Sequence, residues 1–249
     1  MDIVIDFGNT SVKVGLVLKN SSRMIARFDT GNIDLNKFFS FVKHPRLKNI
    51  CYLAVTEIES EIIQFFDTCG ANVIRLTHAT PLPFKVLYNP PESLGLDRLA
   101  GVVGGRALYP DSNLLIVQAG TCITYDVYLK DKGYIGGAIS PGLGIRNRAM
   151  NTFTYQLPLV STDFTDDTEI VSDNTTGSLR SGIFNGAIFE ICGFIDRIEQ
   201  LYGDVNVIIS GGDMRNIVNR IKKNRIFANS NITLSGLSEI IKLNEQKSI

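Results

Sequence analysis

Two stretches of this chain share one pattern: "IVIDFGNTSVKVG" (residues 3–15) and "LLIVQAGTCITYDVYLKDKGYIGGAIS" (residues 114–140). Each opens as an apolar run, reaches a polar residue, turns through a glycine beside a small hydroxyl residue, and resumes as a second run. Setting Gly120 on Gly8 places Gln118 on Asp6, an offset of 112 residues. Glycine hairpins are common, so one pair alone is weak evidence of a repeat. The matched polar positions add the weight, and they divide the chain into similar halves, 1–112 and 113–249, with the boundary at "YPDSN" (109–113).

The segments around these hairpins fill in the architecture. Phe38, Phe41 and Val42, then Ile58, Ile62, Ile63 and Phe66, fall at helical spacing and predict helices near 34–43 and 57–69. "NICYLAV" (49–55) and "NVIRLT" (72–77) read as buried strands. In the second half, residues 178–202 read as a long amphipathic helix and "VNVIISGGD" (205–213) as a strand ending in a glycine turn. Strands followed by helices, twice over, predict an α/β protein with a cleft between two domains.

Bulk properties narrow the functional classes. The 249 residues are 44% hydrophobic and 20% charged, enough to bury one large core or two modest ones. Twenty-five basic residues balance 25 acidic ones, so no net field draws the chain to nucleic acid or an anionic membrane. No basic leader precedes an apolar stretch, and no apolar run reaches the roughly 18 residues of a membrane span. The expectation is a cytoplasmic protein. Cys51, Cys69, Cys122 and Cys192 form no CxxC pair and read as buried reduced thiols, while His44 and His78 have no partner at metal-ligand spacing.

The turns carry the chemistry. A glycine among small polar residues lets backbone N–H groups approach a phosphate, and Thr10, Ser11 or Thr121 adds a hydroxyl donor. Lys13 suits phosphate charge, and Asp6 suits Mg²⁺, directly or through its waters. Either hairpin alone reads equally well as a solvated turn; two in matched register, facing one cleft, favour a polyphosphate grip. A third constellation is "YNPPESLGLDRLAGVVGG" (88–105), where Asp97 and Arg98 stand at the start of a glycine-rich helix. Such a pair is commonly a cap and a surface ion pair. In a kinase cleft the same pair supplies a proton acceptor and an anion clamp. "GGAISPG" (136–142) and "SGGD" (210–213) are further glycine turns, neither specific by itself.

In order and spacing, "DFGNTSVK", "GLDR", "AGTCITYD" and "GGAISPG" resemble the motifs of type III pantothenate kinases, members of the acetate and sugar kinase/Hsp70/actin superfamily. The resemblance spans nearly the whole chain. It implies duplicated ribonuclease H-like (actin-like ATPase) domains, a homodimer whose subunits share the substrate site, and transfer of the ATP γ-phosphate to pantothenate, the first step of coenzyme A synthesis. The cofactors implied are Mg²⁺ and a monovalent cation, NH₄⁺ or K⁺. Carried over by position, Asp6, Phe7, Gly8, Asn9, Thr10, Ser11, Val12, Lys13 and Thr121 bind ATP. Tyr88, Gly95, Leu96, Asp97, Arg98 and Thr175 bind pantothenate, with Asp97 as proton acceptor.

One position departs from the family. Where its members usually carry Asp beside the monovalent cation, this chain has Gln118, which keeps an oxygen ligand but loses the charge. Two other readings stay open: a kinase of the same superfamily acting on another small alcohol, and a nucleotide-binding regulator that transfers no phosphate. "GLDR" speaks against the first, and Asp6, Lys13 and Asp97 speak against the second.

Overall fold

The computed structural model describes residues 1–19, 21–163 and 168–245. Its described residues form two five-stranded sheets. The first contains β1 (Asp2–Phe7), β2 (Ser11–Val17), β3 (Ser22–Asp29), β4 (Asn49–Ala54) and β5 (Asn72–Arg75), in the order β3-β2-β1-β4-β5. The β1–β2 and β2–β3 pairs are antiparallel, and β1–β4 and β4–β5 are parallel. The second contains β6 (Asn113–Ala119), β7 (Cys122–Leu129), β8 (Gly133–Pro141), β9 (Val205–Ser210) and β10 (Ile226–Ala228), in the order β8-β7-β6-β9-β10.

These strand orders are the same, and the predicted duplication is therefore present in the backbone. A shift of 112 residues carries β1, β2 and β3 onto β6, β7 and β8 to within one residue at each end. The halves diverge after the third strand. In the first half, α1 (Leu35–Val42) alone leads to β4; in the second, α4 (Leu143–Phe153) and the 28-residue α5 (Thr175–Tyr202) precede β9. The parallel pairs β6–β9 and β9–β10 then repeat β1–β4 and β4–β5.

The first sheet is covered on both faces, and strand alternation decides which residue meets which layer. Ile3, Ile5 and Phe7 pack with Phe38 and Val42 of α1 and with Ile62 and Phe66 of α2 (Ser60–Thr68). Val4, Cys51 and Leu53 face the other way, against Ala100 and Val103 of α3 (Leu96–Leu108) and Leu234, Leu237 and Ile240 of α7 (Ile232–Glu245). Burying each Val, Leu, Ile or Phe side chain among these contributes about 1.5–3 kcal/mol. Asp6 follows Val4 by two positions, so it emerges on the α3 side of the sheet.

Helix ends follow local chemistry. The Lys37 N–H donates to the Asp34 carboxylate at 3.0 Å, starting α1, and the Gly177 N–H donates to Asn174 Oδ1 at 2.8 Å, starting α5. By compactness the chain divides into two units. One is Met1–Asp111 with Tyr128–Gly136 and Asn231–Ile249; the other is Ser112–Val127 with Gly137–Ser230.

The expectation of four buried thiols is corrected. All four cysteines are free, but only Cys51, in the middle of β4, is buried. Burial pushes its thiol up to about 12. Cys69, Cys122 and Cys192 lie at element ends or on a helix face, where cover is partial. Among the described residues no group of three or more His, Cys, Asp or Glu side chains is placed to hold a metal. No described helix is long and apolar enough to cross a membrane.

Candidate active site

The first turn joins β1 to β2. Asp6 and Lys13 are directly paired across the antiparallel ladder, so their side chains share a face, and Lys13 Nζ donates to Asp6 Oδ2 at 3.1 Å. Asp6 is only 3% exposed, and its Oδ1 is buried without a hydrogen-bond partner. Burial pushes this carboxyl above the usual range, Lys13 opposes the rise, and the nearby charge of Asp97 adds to it. The turn is tied at its back: the Gly8 N–H donates to Ser11 O at 3.2 Å, and Thr30 Oγ1 donates to Gly8 O at 2.7 Å. Asn9 and Thr10 are exposed at the tip. Phe7 and Val12 bury their side chains in the core, which leaves only their backbones to face a ligand.

On the same side of that sheet α3 begins at Leu96, which packs on the core, and Asp97 stands in its first turn, where the helix dipole favours a carboxylate. The Arg98 N–H donates to Asp97 Oδ1 at 2.9 Å. A Cβ at Gly95 would lie 2.6 Å from that same oxygen, so a larger residue would displace the carboxylate. The electrostatic coupling of Asp97 to Asp6 brings the third constellation beside the first turn, a proximity that no spacing in the chain announces.

Arg98 is 4% exposed, an unusual depth for a guanidinium. Its Nη2 donates to the hydroxyl of Tyr134 at 3.1 Å, and its guanidinium carbon sits 5.6 Å from the ring centre of Tyr88. Tyr88 and Tyr134 stack, with centroids 6.1 Å apart and ring planes 20° from parallel. Sequence reasoning singled out Tyr88 and Arg98 but not Tyr134. Nothing in "DKGYIGG" marks its tyrosine as a neighbour of "GLDR".

The second turn, Gly120–Thr121, is built by close backbone packing. The Gly120 N–H donates to Cys122 O at 2.9 Å, and the Gly142 N–H donates to Thr121 O at 3.1 Å. A Cβ on Gly142 would lie 2.0 Å from Gly120 O, so only glycine allows this approach. "SGGD" reaches the same place, where the Asp213 N–H donates to Ala119 O at 3.1 Å. The expectation of a glycine turn at "GGAISPG" is corrected: Gly136–Pro141 belong to strand β8, and only Gly142, just beyond it, joins the "SGGD" turn in packing on residues 119–121.

A polar network anchors the "SPG" segment. Ser140 Oγ and the Tyr125 hydroxyl donate to Glu190 Oε1 at 2.5 and 2.7 Å, and Arg146 donates from Nη2 to Glu190 Oε2 at 2.5 Å and from Nε to Pro141 O at 2.8 Å. Burial raises the Glu190 carboxyl, but the Ser140, Arg146 and Tyr125 bonds outweigh it and hold the group below the usual range. Gln118, one residue before the end of β6, is half-buried and in register with Ser210 on β9. Thr175 is exposed as the first residue of α5.

Part of this donor set suits Mg²⁺. This ion keeps several waters and takes one or two protein carboxylates beside substrate phosphates. The orphaned Oδ1 of Asp6 fits that demand, and Asp97 supplies a second carboxylate nearby. For a monovalent cation the neutral amide oxygen of Gln118 is a compatible but uncharged donor.

A twice-used five-stranded sheet, each copy opening on a glycine hairpin, defines the duplicated fold of the actin-like ATPases and sugar kinases. The chain resembles a protein described as a Baf family transcriptional activator from Campylobacter jejuni (TM-score 0.64, 20% identity, 98% of this chain and 99% of that one). It also resembles the activator of 2-hydroxyisocaproyl-CoA dehydratase from Clostridium difficile (TM-score 0.55, 13% identity, 100% and 97%). The sequence is more specific. The type III pantothenate kinase family model matches residues 2–197. Type III pantothenate kinases from Christiangramia forsetii and Flavobacterium johnsoniae are 36% and 34% identical, over 98% and 96% of this chain and 99% and 96% of theirs. The chain belongs to the type III pantothenate kinase family.

Proposed function

We propose that this protein transfers the γ-phosphate of ATP to the primary hydroxyl of pantothenate, giving 4'-phosphopantothenate in the first step of coenzyme A synthesis. The observation that carries the reading is the cluster of Asp6, Lys13 and Asp97 on one side of a single sheet, beside the buried Arg98.

Each residue takes a role suited to its surroundings. The Gly8–Thr10 turn and Thr121 receive phosphate oxygens through N–H and hydroxyl donors. Lys13 offsets phosphate charge, and Asp6 would hold Mg²⁺, which when bound would neutralise negative charge on the phosphates. Arg98 clamps the pantothenate carboxylate in a charge-assisted pair, with Tyr88 against the guanidinium face. Asp97 accepts a hydrogen bond from the attacking hydroxyl. As the new oxygen–phosphorus bond forms and the bond to the β–γ bridging oxygen breaks, the hydroxyl proton passes to Asp97 and ADP departs. Gln118 stands at the monovalent-cation position, NH₄⁺ or K⁺, with a neutral donor.

The homodimer implied by the family is supported by apolar side chains left in solvent: Phe153, Tyr155 and Val171 are 86%, 101% and 81% exposed, and Phe189 on α5 is 60% exposed. Thr175 would then complete the substrate site across subunits. A fully active monomer in sedimentation at micromolar concentration would remove that part.

The deciding assay supplies purified protein with ATP, Mg²⁺, pantothenate and either NH₄⁺ or K⁺, and follows phosphopantothenate. Asp97→Asn is expected to lower turnover by roughly 10²–10⁴-fold while ATP binding stays nearly intact. Wild-type turnover in that variant removes Asp97 from the mechanism. No transfer by the unaltered protein, with another alcohol accepted from a substrate panel, removes the pantothenate reading itself.

A further inference from the structure

Tyr134 ties its hairpin to residues 85–98 through its backbone, its ring and its hydroxyl. Its backbone forms an isolated parallel bridge with Val86: the Tyr134 N–H donates to Lys85 O at 2.9 Å, and the Leu87 N–H donates to Tyr134 O at 2.8 Å. Its ring stacks on Tyr88, the residue that follows Leu87. Its hydroxyl accepts from the guanidinium of Arg98, ten residues further along. The bridge depends on Gly133, whose φ of +102° and approach to Lys85 O, 2.2 Å from where a Cβ would stand, exclude other residues. The tip of the β7–β8 hairpin is thus committed to holding residues 85–88.

We infer that Tyr134 is a positioning residue for carboxylate recognition, acting through Arg98. The inference rests on the pantothenate reading above. Arginine recognises a carboxylate through a planar fork, so its value depends on the rotation of that plane. Tyr88 lies against the guanidinium face, and the Tyr134 hydroxyl, by accepting from one amino group, adds an in-plane contact that helps set the rotation of the fork. At 0% exposure the phenol cannot meet a bound substrate as a surface contact, so its effect travels through the arginine. Because the same residue also stacks on Tyr88 and is bridged by its backbone to the residues just before it, the groups around the guanidinium are arranged by one residue.

Tyr134→Phe removes the hydroxyl and keeps the ring, the stack and the backbone bridge. The variant is expected to raise KM for pantothenate about ten-fold, the loss of one hydrogen bond to a charged group, with KM for ATP and kcat within about two-fold of the unaltered enzyme. Pantothenol, in which a hydroxymethyl group replaces the carboxylate, serves as the control, and its KM is expected to be the same for both proteins. In an Arg98→Ala background the Tyr134→Phe change is expected to add nothing further. Equal losses for pantothenate and pantothenol, a matching rise in KM for ATP, or independent losses in the double variant would each make Tyr134 merely structural and overturn the inference. Unchanged pantothenate kinetics would also overturn it. Loss of folding in the single variant leaves the Arg98→Ala protein to decide: if its KM ratio between pantothenate and pantothenol equals that of the unaltered enzyme, no carboxylate clamp exists for Tyr134 to position. Failure of the unaltered enzyme to phosphorylate pantothenate would instead remove the parent reading.

Discussion

Across the β1–β2 ladder a carboxylate and an ammonium face each other, Asp6 and Lys13; 112 residues on, the same two positions are Gln118 and Tyr125. The scaffold is repeated and the charges are not. At the first turn a buried carboxylate keeps one oxygen unsatisfied, a cost to the folded chain. At the second turn the tyrosine has swung its hydrogen bond to Glu190, and the backbone of residues 119–121 is enclosed by Gly142 and the "SGGD" turn. The two glycine turns thus share a scaffold and differ in content, one holding a buried ion pair and the other closely packed backbone.

Breaking this contrast at its charged end should give the largest effect. Asp6→Asn is expected to reduce turnover by roughly 10²–10³-fold, because it removes the carboxylate proposed to hold Mg²⁺. The same change should leave the thermal midpoint at pH 7 unchanged or higher. Since the folded carboxyl is raised above its unfolded value, its ionised form is penalised in the folded protein. That penalty is present at pH values above the raised value and fades as pH falls through it, so asparagine removes a cost that exists at neutrality. A melting curve at pH 7 shifted clearly downward would show that Asp6 stabilises the fold and would break the contrast.

At the second turn the expected effect is smaller and is read in stability. Gly142→Ala forces a methyl against the Gly120 and Thr121 carbonyls and should destabilise by about 1–3 kcal/mol, with a raised KM for ATP. Gly8→Ala is the matched control, since the nearest atom to its added Cβ is Ser11 O at 3.1 Å. Denaturant unfolding in which Gly8→Ala costs as much as Gly142→Ala would mean that both turns are packed alike.

The smallest expected effect sharpens the comparison by restoring symmetry. Gln118→Asp places a carboxylate where the first half has Asp6, and it should lower the K⁺ or NH₄⁺ concentration for half-maximal activity a few-fold. Substrate choice should not change. Superimposable cation titrations for the two proteins would show that position 118 does not tune a cation site.

Much of this architecture was legible in the chain. The offset of 112 between Gly8 and Gly120 forecast the β6–β7 hairpin of the second sheet, and Phe38 with Val42 and Ile62 with Phe66 marked the helices that cover the first. The α7 segment carried no such signal in our reading. "ITLSGLSEIIKL" mixes small, hydroxyl and apolar residues around the helix, and its packing on α3 is set by tertiary contact. Tyr134 and Glu190 escaped notice for a related reason. Each lies far along the chain from the residues it holds, 36 positions from Arg98 and 44 from Arg146, so no local pattern joins them.

What the sequence by itself determined is whatever depends on neighbours in the chain: the turn chemistry of "FGNTS" and "AGTC", the alternation that buries Ile3, Ile5 and Phe7 together, the repeat, and the family motifs in their order. What only the tertiary structure decided is which polar groups lose water and which partners they find. Strand alternation sends Asp6 to the α3 side, but burial of its carboxylate beside Lys13 and near Asp97 arises from the packing of α3 over the sheet. Likewise, a hairpin tip turns an ordinary "GLDR" arginine into a buried, oriented guanidinium. Desolvation and long-range pairing are properties of the assembled layers, and they convert a recognisable string of residues into a site.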